Sequence, residues 1–288
     1  MPKNIGLSPV KDFAKYILYT GFVKNIPYPV NGLILAPPER GKSSEVVKFE
    51  MLGAIRVDKA TAFGLCQMMQ EMSKEELKRL HHWIIPDLEM LSSMGRDVRE
   101  QILAFMRGSN QEGMQIYRTF NIKLQLEAPK QLGFLMCTTP NDLGDKRSVF
   151  RSQSFLNRVI PFSYNYSYGF RAEVMDFIQK EEHNENNQYI LTREDKDTVR
   201  LPEHYAKRLD IYSELLARQT DRIASKVRWS GDTKVPDSDL IGIRAKEMFM
   251  SFLKAIALYH GRKDVIKEDF EEFRRLFKYM NYDFQKIE

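Results

Sequence analysis

The 288-residue chain carries 44 basic and 39 acidic side chains spread along its length, so its net charge of +5 permits contact with nucleic acid only through a folded surface. The longest apolar runs are too short to span a bilayer, and the N-terminus lacks the long apolar stretch of a secretory signal, which predicts a cytoplasmic protein without a membrane partner. The two cysteines, Cys66 and Cys137, lie in apolar surroundings, which favours buried, reduced thiols over a disulfide or a metal site.

The first part of the chain alternates between helical and strand-like patterns. Residues 8–22 begin with a Ser-Pro helix-entry signal and carry apolar residues at helical spacing. VNGLILAP is a short apolar run bounded by Asn-Gly and Pro-Pro, which is typical of a buried strand. KSSEVVKFEMLGAI has the composition of a helix. Residues 59–80 predict a further helical stretch that ends in SKEELKRL with a Ser-x-x-Glu capping box.

Two more buried strands follow in the sequence. HHWIIPDLEML is apolar and ends in acids, and QLGFLMCTTPND runs into a polar loop. Between them, SMGRDVREQILAFMRG predicts a helix closed by glycine. GMQIYRTFNIKLQLEAP alternates apolar and polar residues on both sides of Thr119, Phe120 and Asn121, which predicts a hairpin. Strands and helices alternate to about residue 165, as in an α/β sheet with covered faces.

The periodicity becomes almost wholly helical in the last third of the chain. Residues 181–200 are polar and predict a solvated excursion, and three amphipathic helical stretches follow from residue 202 onward. The simplest partition is an α/β domain over residues 1–175, a polar connecting segment over 176–200 and a smaller helical domain over 201–288. No internal repeat or low-complexity tract is present.

The stretch LILAPPERGKSS, residues 33–44, has the pattern of a phosphate-binding loop. Such loops surround a triphosphate with backbone N–H groups, add a lysine charge and complete a magnesium shell with a hydroxyl. Gly41, Lys42 and Ser43 fill those positions, while Ala36 replaces the outer glycine. A basic turn at a helix start is the alternative, and the strand before the loop with the helix after it favours nucleotide. The predicted ATP-binding residues are Ala36, Pro37, Pro38, Glu39, Arg40, Gly41, Lys42, Ser43 and Ser44.

Acids follow the second predicted strand in WIIPDLE. Asp87 suits the role of holding magnesium together with Ser43, and Glu89 suits the role of orienting and deprotonating the attacking water. Strand alternation places both carboxylates on one side although Leu88 intervenes. A solvated strand end without a catalytic role is the alternative.

The third predicted strand also ends in polar residues, in FLMCTTPND. A side chain there can touch the γ-phosphate or the attacking water, and we favour Thr139, with Thr138 and Asn141 close behind. A threonine and proline turn without a ligand is the alternative.

Taken in order, these segments resemble the AAA+ ATPases, in particular the minichromosome-maintenance helicases and their MoxR-like relatives. The likeness covers about residues 10–280, with APPERGKSS as Walker A, WIIPDLE as Walker B and FLMCTTPND as the sensor 1 strand. It implies a P-loop NTPase sheet with flanking helices, a helical lid, ATP and Mg²⁺ as ligands, and a homo-oligomer that is most often a hexamer. Ala36, the Asp-Leu-Glu order and Thr139 depart from the family pattern, which puts the catalytic rate in doubt more than nucleotide binding.

The resemblance also implies residues that complete the site of a neighbouring subunit. SFLNRVIPF is similar to the arginine-finger segment, so Arg158 would reach the neighbour's γ-phosphate, with Arg147 and Arg151 as competitors. Arg244, at the start of a lid helix, would be the sensor 2 arginine, acting in cis or in trans. An intrachain salt bridge for Arg158 and an ordinary exposed arginine for Arg244 are the alternatives.

The predicted hairpin occupies the position at which the helicase relatives carry a pore hairpin. By that likeness Arg118 and Lys123 would contact phosphates, and Phe120 would stack on bases. A hairpin that only packs on a neighbour is the alternative.

Three functions are consistent with these motifs. The first is an oligomeric, helicase-like ATPase that moves or remodels DNA in replication, mobile-element or viral DNA handling, with a protein partner supplying specificity. The second is a protein remodeller of the MoxR or chelatase type. The third is a slowly hydrolysing, nucleotide-gated assembly switch such as a helicase loader.

Overall fold

The computed structural model describes residues 7–58, 61–88, 95–118, 123–144, 153–179, 188–225 and 242–287. Glu89, Phe120, Arg147 and Arg151, which the sequence marks as candidates, lie outside these ranges. Within them, the helices are too short or too polar for any to traverse a lipid bilayer.

Helices and strands alternate through the first two thirds of the chain, and helices dominate the rest. The first part comprises α1 (Ser8–Tyr19), β1 (Gly32–Leu35), α2 (Lys42–Val46), β2 (Phe49–Met51), β3 (Ala54–Arg56), α3 (Ala62–Glu71), α4 (Lys74–Arg79), β4 (His82–Ile85), α5 (Arg96–Arg107), β5 (Met114–Arg118), β6 (Lys123–Lys130), β7 (Gly133–Thr138), α6 (Pro140–Gly144), α7 (Gln153–Leu156), β8 (Ile160–Tyr166), α8 (Tyr168–Gln179) and β9 (Tyr189–Leu191). The C-terminal part comprises α9 (Glu203–Ser225), α10 (Ile243–Tyr259), α11 (Lys267–Phe277) and β10 (Gln285–Ile287).

Seven strands form a mostly parallel sheet in the order β8–β1–β7–β4–β3–β2–β9, and β10 extends it beside β8. Only the short β2–β3 pair is antiparallel among these neighbours. Strands β1, β4 and β7 are buried at every position, because helices cover both faces of the sheet and leave no polar side. The predicted α/β class with a helical C-terminal region is confirmed.

The prediction of one helix over KSSEVVKFEMLGAI is wrong. Helix α2 ends at Val46, and the β2–β3 hairpin follows with Gly53 in its turn at φ 84°. A side chain at Gly53 would place its Cβ 2.2 Å from the carbonyl oxygen of Arg79, so only glycine fits this turn. Phe49 and Met51 are buried on either side of exposed Glu50, the period-two pattern of a strand.

The described part of the polar segment 181–200 is not simply a solvated excursion. Strand β9 pairs in parallel with β2 at the edge of the sheet, and Tyr189 Oη donates a hydrogen bond to Glu45 in α2. Further on, Asp197 forms a bridge with Val23. These contacts tie the segment to the α/β core. Helix α8 and strand β10 have no counterpart among the sequence predictions.

The C-terminal helices share a continuous buried cluster with the α/β part. The Phe13 ring of α1 lies between Phe162 of β8 and Phe252 of α10, with ring centroids 4.6 and 5.8 Å away. Polar contacts join the two parts as well, since Tyr28 Oη donates to Glu247 Oε2 and Lys254 Nζ donates to the Asn25 carbonyl. Helix α10 is therefore fixed against the amino-terminal segment that leads into β1.

Candidate nucleotide site

The loop between β1 and α2 begins deep in the sheet and turns sharply. Ala36 is fully buried, and its N–H donates to the Thr138 carbonyl at the end of β7 over 3.4 Å. Glu39 and Gly41 both adopt left-handed backbone conformations, with φ of 62° and 73°. Alternating backbone handedness of this kind turns successive N–H groups inward and creates concave anion-binding nests. The left-handed conformation of Gly41 favours glycine, because an L side chain there would be strained whatever space is available.

Of the two serines in the first turn of α2, only Ser43 is directed towards the end of β4. Ser43 Oγ donates a 2.7 Å hydrogen bond to the carbonyl of Pro86, the residue before Asp87. Ser44 Oγ instead donates to the Gly41 carbonyl at 2.9 Å and is exposed. Lys42 is only 9% exposed. The structure thus brings Ser43, rather than Ser44, to the strand end that carries Asp87.

The charges of Lys42 and Asp87 converge near the end of β7. Burial raises the pKa of the Cys137 thiol, the Lys42 ammonium group opposes that rise, and the Asp87 carboxylate adds to it. Both groups therefore act on one buried position between β1 and β4. The raised pKa keeps Cys137 as an unreactive thiol, as its apolar surroundings in the sequence predict.

Thr138 and Thr139 lie beside the loop at the carboxyl end of β7. Thr138 is opposite Leu35 in the strand register, one residue before the loop, and both threonines are buried. The Thr139 carbonyl accepts the N–H of Leu143 at 3.3 Å, so Thr139 stands where β7 gives way to α6. Asn141 is exposed within that helix. The buried threonines are therefore better placed than Asn141 beside the loop.

Strand β8 supplies contacts to the loop that the sequence prediction missed. Tyr164 Oη and Tyr166 Oη each donate a 2.7 Å hydrogen bond to the Arg40 carbonyl. Arg40 Nε donates to Asn165 Oδ1 at 3.1 Å, and the guanidinium lies 5.1 Å from the centre of the Tyr166 ring. The Arg40 side chain therefore packs on β8 in this conformation. The only sign of these contacts in the sequence is the alternation of tyrosines in SYNY, which places both rings on one face of a strand.

The position of the loop in the sheet is one at which α/β proteins bind ligands. Strand β1 lies between β7 and β8, so the connection from β7 to β8 crosses over it. Ligands of open α/β sheets bind beyond the carboxyl ends of the strands where such connections diverge. The loop 36–44, Asp87 and Thr139 all follow the carboxyl ends of β1, β4 and β7.

Arg158 and Arg244 lie at the opposite, amino edge of the sheet. Asn31, which precedes β1, donates from Nδ2 to the Arg158 carbonyl at 2.8 Å. Burial lowers the pKa of Arg158, and the positive charges of Arg244 and Arg107 lower it further. At about 3.3 Å per residue, the path along β1 from Asn31 to Ala36 spans about 16 Å. The structure thus groups the two candidate arginines with Arg107 and separates them from the loop of the same chain.

The hairpin β5–β6 also extends from the amino-edge side of the sheet, since it leads directly into β7. Arg118 and Lys123 are cross-strand neighbours beside the hairpin turn and both are exposed. Arg118 Nη2 donates to Gln125 Oε1 at 3.2 Å, and the Lys123 carbonyl accepts from Gln70 of α3. The predicted hairpin is confirmed, with its sides packed on α3 and α4.

Removing the Ser43 hydroxyl tests whether this site holds magnesium. We expect Ser43→Ala to weaken nucleotide binding about tenfold in the presence of magnesium, the effect of losing one polar contact, and to change it little in EDTA. Ser44→Ala is the matched comparison, because the Ser44 hydroxyl donates to the Gly41 carbonyl. The effect of this substitution on nucleotide affinity should be the same with and without the metal. Calorimetric titration with ATPγS measures all four cases. Equal magnesium dependence of the two variants would contradict the assignment.

Two sets of charged side chains are therefore present on opposite edges of the sheet. Lys42, Ser43 and Asp87 lie at the carboxyl edge, and Arg158 and Arg244 lie at the amino edge. Among the residues that the structure describes, no three His, Cys, Asp or Glu side chains group closely enough to hold a metal ion by themselves. No protein-family model matches the chain, and a search of curated proteins gives no match.

Proposed function

We propose that this protein is an oligomeric AAA+ ATPase that binds magnesium-ATP in the loop 36–44 and couples its hydrolysis to the movement or remodelling of DNA. The observation that carries the proposal is the hydrogen bond from Ser43 Oγ to the Pro86 carbonyl. It brings the residue after the loop lysine next to the residue before Asp87, across 43 positions of sequence.

The donor set suits magnesium bound together with phosphates. The Ser43 hydroxyl uses its one proton on Pro86, which leaves its lone pairs for a cation. Asp87 adds an exposed carboxylate at the strand end. Magnesium keeps several waters and takes only one or two protein ligands beside substrate phosphates, so a complete protein cage is unnecessary. Ser43 and Asp87 would hold the ion, whose charge offsets that of the β- and γ-phosphates.

The remaining groups of one chain would position the phosphate and the attacking water. Lys42 contributes a positive charge that is largely shielded from solvent, which strengthens its attraction to phosphate oxygens. Thr139 would orient the γ-phosphate or the water from the end of β7. Glu89, by the resemblance, would be the general base, two residues after Asp87.

A neighbouring subunit would complete this site. Arg158 and Arg244 lie at the edge of the sheet opposite the loop of their own chain, and Arg158 experiences the repulsion of two other guanidinium groups, which Glu112 offsets in part. An anion at that edge would relieve the repulsion. A triphosphate on the carboxyl edge of an adjacent protomer is such an anion, which supports a ring or open helix in which both arginines act in trans.

The hairpin supports DNA as the partner. Like charges directly opposite each other on paired strands destabilise the pair, and Arg118 and Lys123 are in that position. These two exposed cations, at the last position of β5 and the first of β6, would each contact a phosphate, and the resulting counterion release would dominate the affinity. Phe120 is proposed to stack on a base.

A single assay separates this function from its competitors. ATPase activity is measured with and without single-stranded DNA, beside native mass determination with ATP. Stimulation by DNA that is lost at high salt, together with ATP-dependent oligomers, is the expected result. Assembly with ATP but no turnover would favour the nucleotide-gated switch. Turnover indifferent to DNA would favour the protein remodeller.

Reversing the two hairpin charges should weaken DNA binding. We expect Arg118→Glu with Lys123→Glu to lower the affinity for single-stranded DNA at least tenfold and to flatten its dependence on salt by about two phosphate contacts. The control, Lys267→Glu with Arg274→Glu on α11, makes the same change in net charge on another surface. Fluorescence anisotropy over a salt series measures both. An equal loss in the two double variants would show that only overall charge matters.

A further inference from the structure

The two tyrosine hydroxyls of β8 meet on one backbone oxygen of the phosphate loop. Tyr164 and Tyr166 are two residues apart on a strand, so their side chains leave the same face of the sheet. Each donates a 2.7 Å hydrogen bond to the Arg40 carbonyl. A carbonyl oxygen has two lone pairs, and this one is therefore saturated by the pair.

Both hydroxyls remain donors under ordinary conditions. Burial raises the pKa of Tyr164 well above its usual value and raises that of Tyr166 to about 12. The tyrosines therefore stay protonated across the physiological range, so both hydroxyls can donate to the Arg40 carbonyl. The Arg40 side chain itself donates to Asn165 Oδ1.

The position of that oxygen determines where the next N–H points. The Arg40 carbonyl and the Gly41 N–H belong to one planar trans peptide, in which C=O and N–H point in opposite directions. Since the carbonyl is held towards β8, the Gly41 N–H points away from β8. Gly41 directly precedes Lys42 and has a φ of 73°. Because glycine has no Cβ, this residue can rotate to other conformations if the hold on the peptide is lost.

We propose that Tyr164 and Tyr166 are positioning residues that fix the Arg40–Gly41 peptide with its N–H directed at a bound triphosphate. The inference rests on the proposed nucleotide site at residues 36–44. It assigns a binding role to side chains that lie 124 and 126 residues beyond Arg40 in sequence. A merely structural role would make the same tyrosines matter for stability while leaving the affinity of the folded protein for nucleotide unchanged.

The test compares Tyr164→Phe, Tyr166→Phe and the double variant, which keep the rings and remove only the hydroxyls. Tyr205→Phe is the matched control. Tyr205 is a largely buried tyrosine at the start of α9, where it packs on Phe270 of α11. Binding of magnesium-ATPγS is measured by calorimetry at a temperature at which every variant is folded. Hydrogen exchange of the peptide that spans the loop is measured with and without nucleotide.

We expect each single variant to lose about two- to threefold in affinity, because one remaining hydroxyl holds the carbonyl less firmly than two. The double variant should lose about tenfold or more, a non-additive effect typical of residues that share a partner. In that variant, nucleotide should protect the loop peptide from exchange less than in the wild type. If the double variant does not fold, the two single variants and their loop exchange still decide: unchanged affinity and protection in both would overturn the proposal.

Two failures are distinguishable. Wild-type protein that binds no ATPγS would refute the nucleotide site itself. Wild-type protein that binds ATPγS, with a folded double variant that binds within twofold of it, would refute the positioning role alone.

Discussion

Replacing Lys42 is expected to abolish measurable binding of magnesium-ATP, with a loss in affinity of at least about 100-fold. The lysine is only 9% exposed, and charge-assisted hydrogen bonds to phosphate are worth about 1.5–3 kcal/mol each. Lys42→Met keeps the buried apolar stem and removes the charge, so it separates electrostatics from packing. Calorimetric titration with ATPγS measures the affinity, and a thermal melt checks the fold.

Lys48→Met is the matched control for this experiment. Lys48 lies in the same segment, but its ammonium group pairs with Glu45 at 3.1 Å and has no role at the loop. We expect it to bind nucleotide like the wild type. Full affinity in a folded Lys42→Met variant would show that residues 36–44 are an ordinary basic turn.

Replacing Arg158 should suppress turnover about 1,000-fold and leave nucleotide affinity within a few-fold of the wild type. An arginine supplied at the γ-phosphate typically contributes 10³–10⁵ in rate, and here it would come from the adjoining subunit. The matched control is Arg274→Ala, an exposed arginine on α11. Steady-state ATPase assays and ATPγS titrations give the two quantities.

Mixing the two inactive variants tests whether the site is shared. Lys42→Met retains the arginine edge and Arg158→Ala retains the loop, so an interface between them contains one intact site. We expect the mixture to recover part of the wild-type rate although each variant alone is inactive. A mixture that remains inactive despite forming mixed oligomers by mass would reject completion in trans.

The central strands could be predicted because burial on both faces requires a run of apolar residues in the sequence. Strands β1, β4 and β7 are covered on both faces, so each is a nearly continuous apolar run, and the polar residues after those runs mark the edge of the sheet at which the candidate site lies. The strands β2, β3, β9 and β10 have only three residues each, too few for a strand pattern to be recognised from the sequence alone. Their formation depends on pairing with neighbours rather than on local pattern.

The contacts of Arg40 could not be predicted from the local sequence, because they depend on the order of the strands. Tyr164 and Tyr166 meet the loop only because β8 is the neighbour of β1, and strand order is a property of the whole sheet. The same holds for Arg158, whose separation from Lys42 depends on the parallel alignment of β8 with β1. Residue type and spacing marked Lys42 and Arg158 as candidates, but did not show on which edge of the sheet each of them lies.

The placement of Arg158 and Lys42 at opposite ends of parallel strands has a consequence for how activity should scale with amount of protein. Two unlike edges that fit each other give heterologous, head-to-tail contacts, which either close into a ring or leave an open chain. An open chain of n protomers has n − 1 junctions, and only at a junction does the loop of one protomer meet Arg158 of the next. An isolated protomer therefore has no complete site. Specific activity per milligram should therefore rise steeply on concentration from dilute solution and level off once rings close.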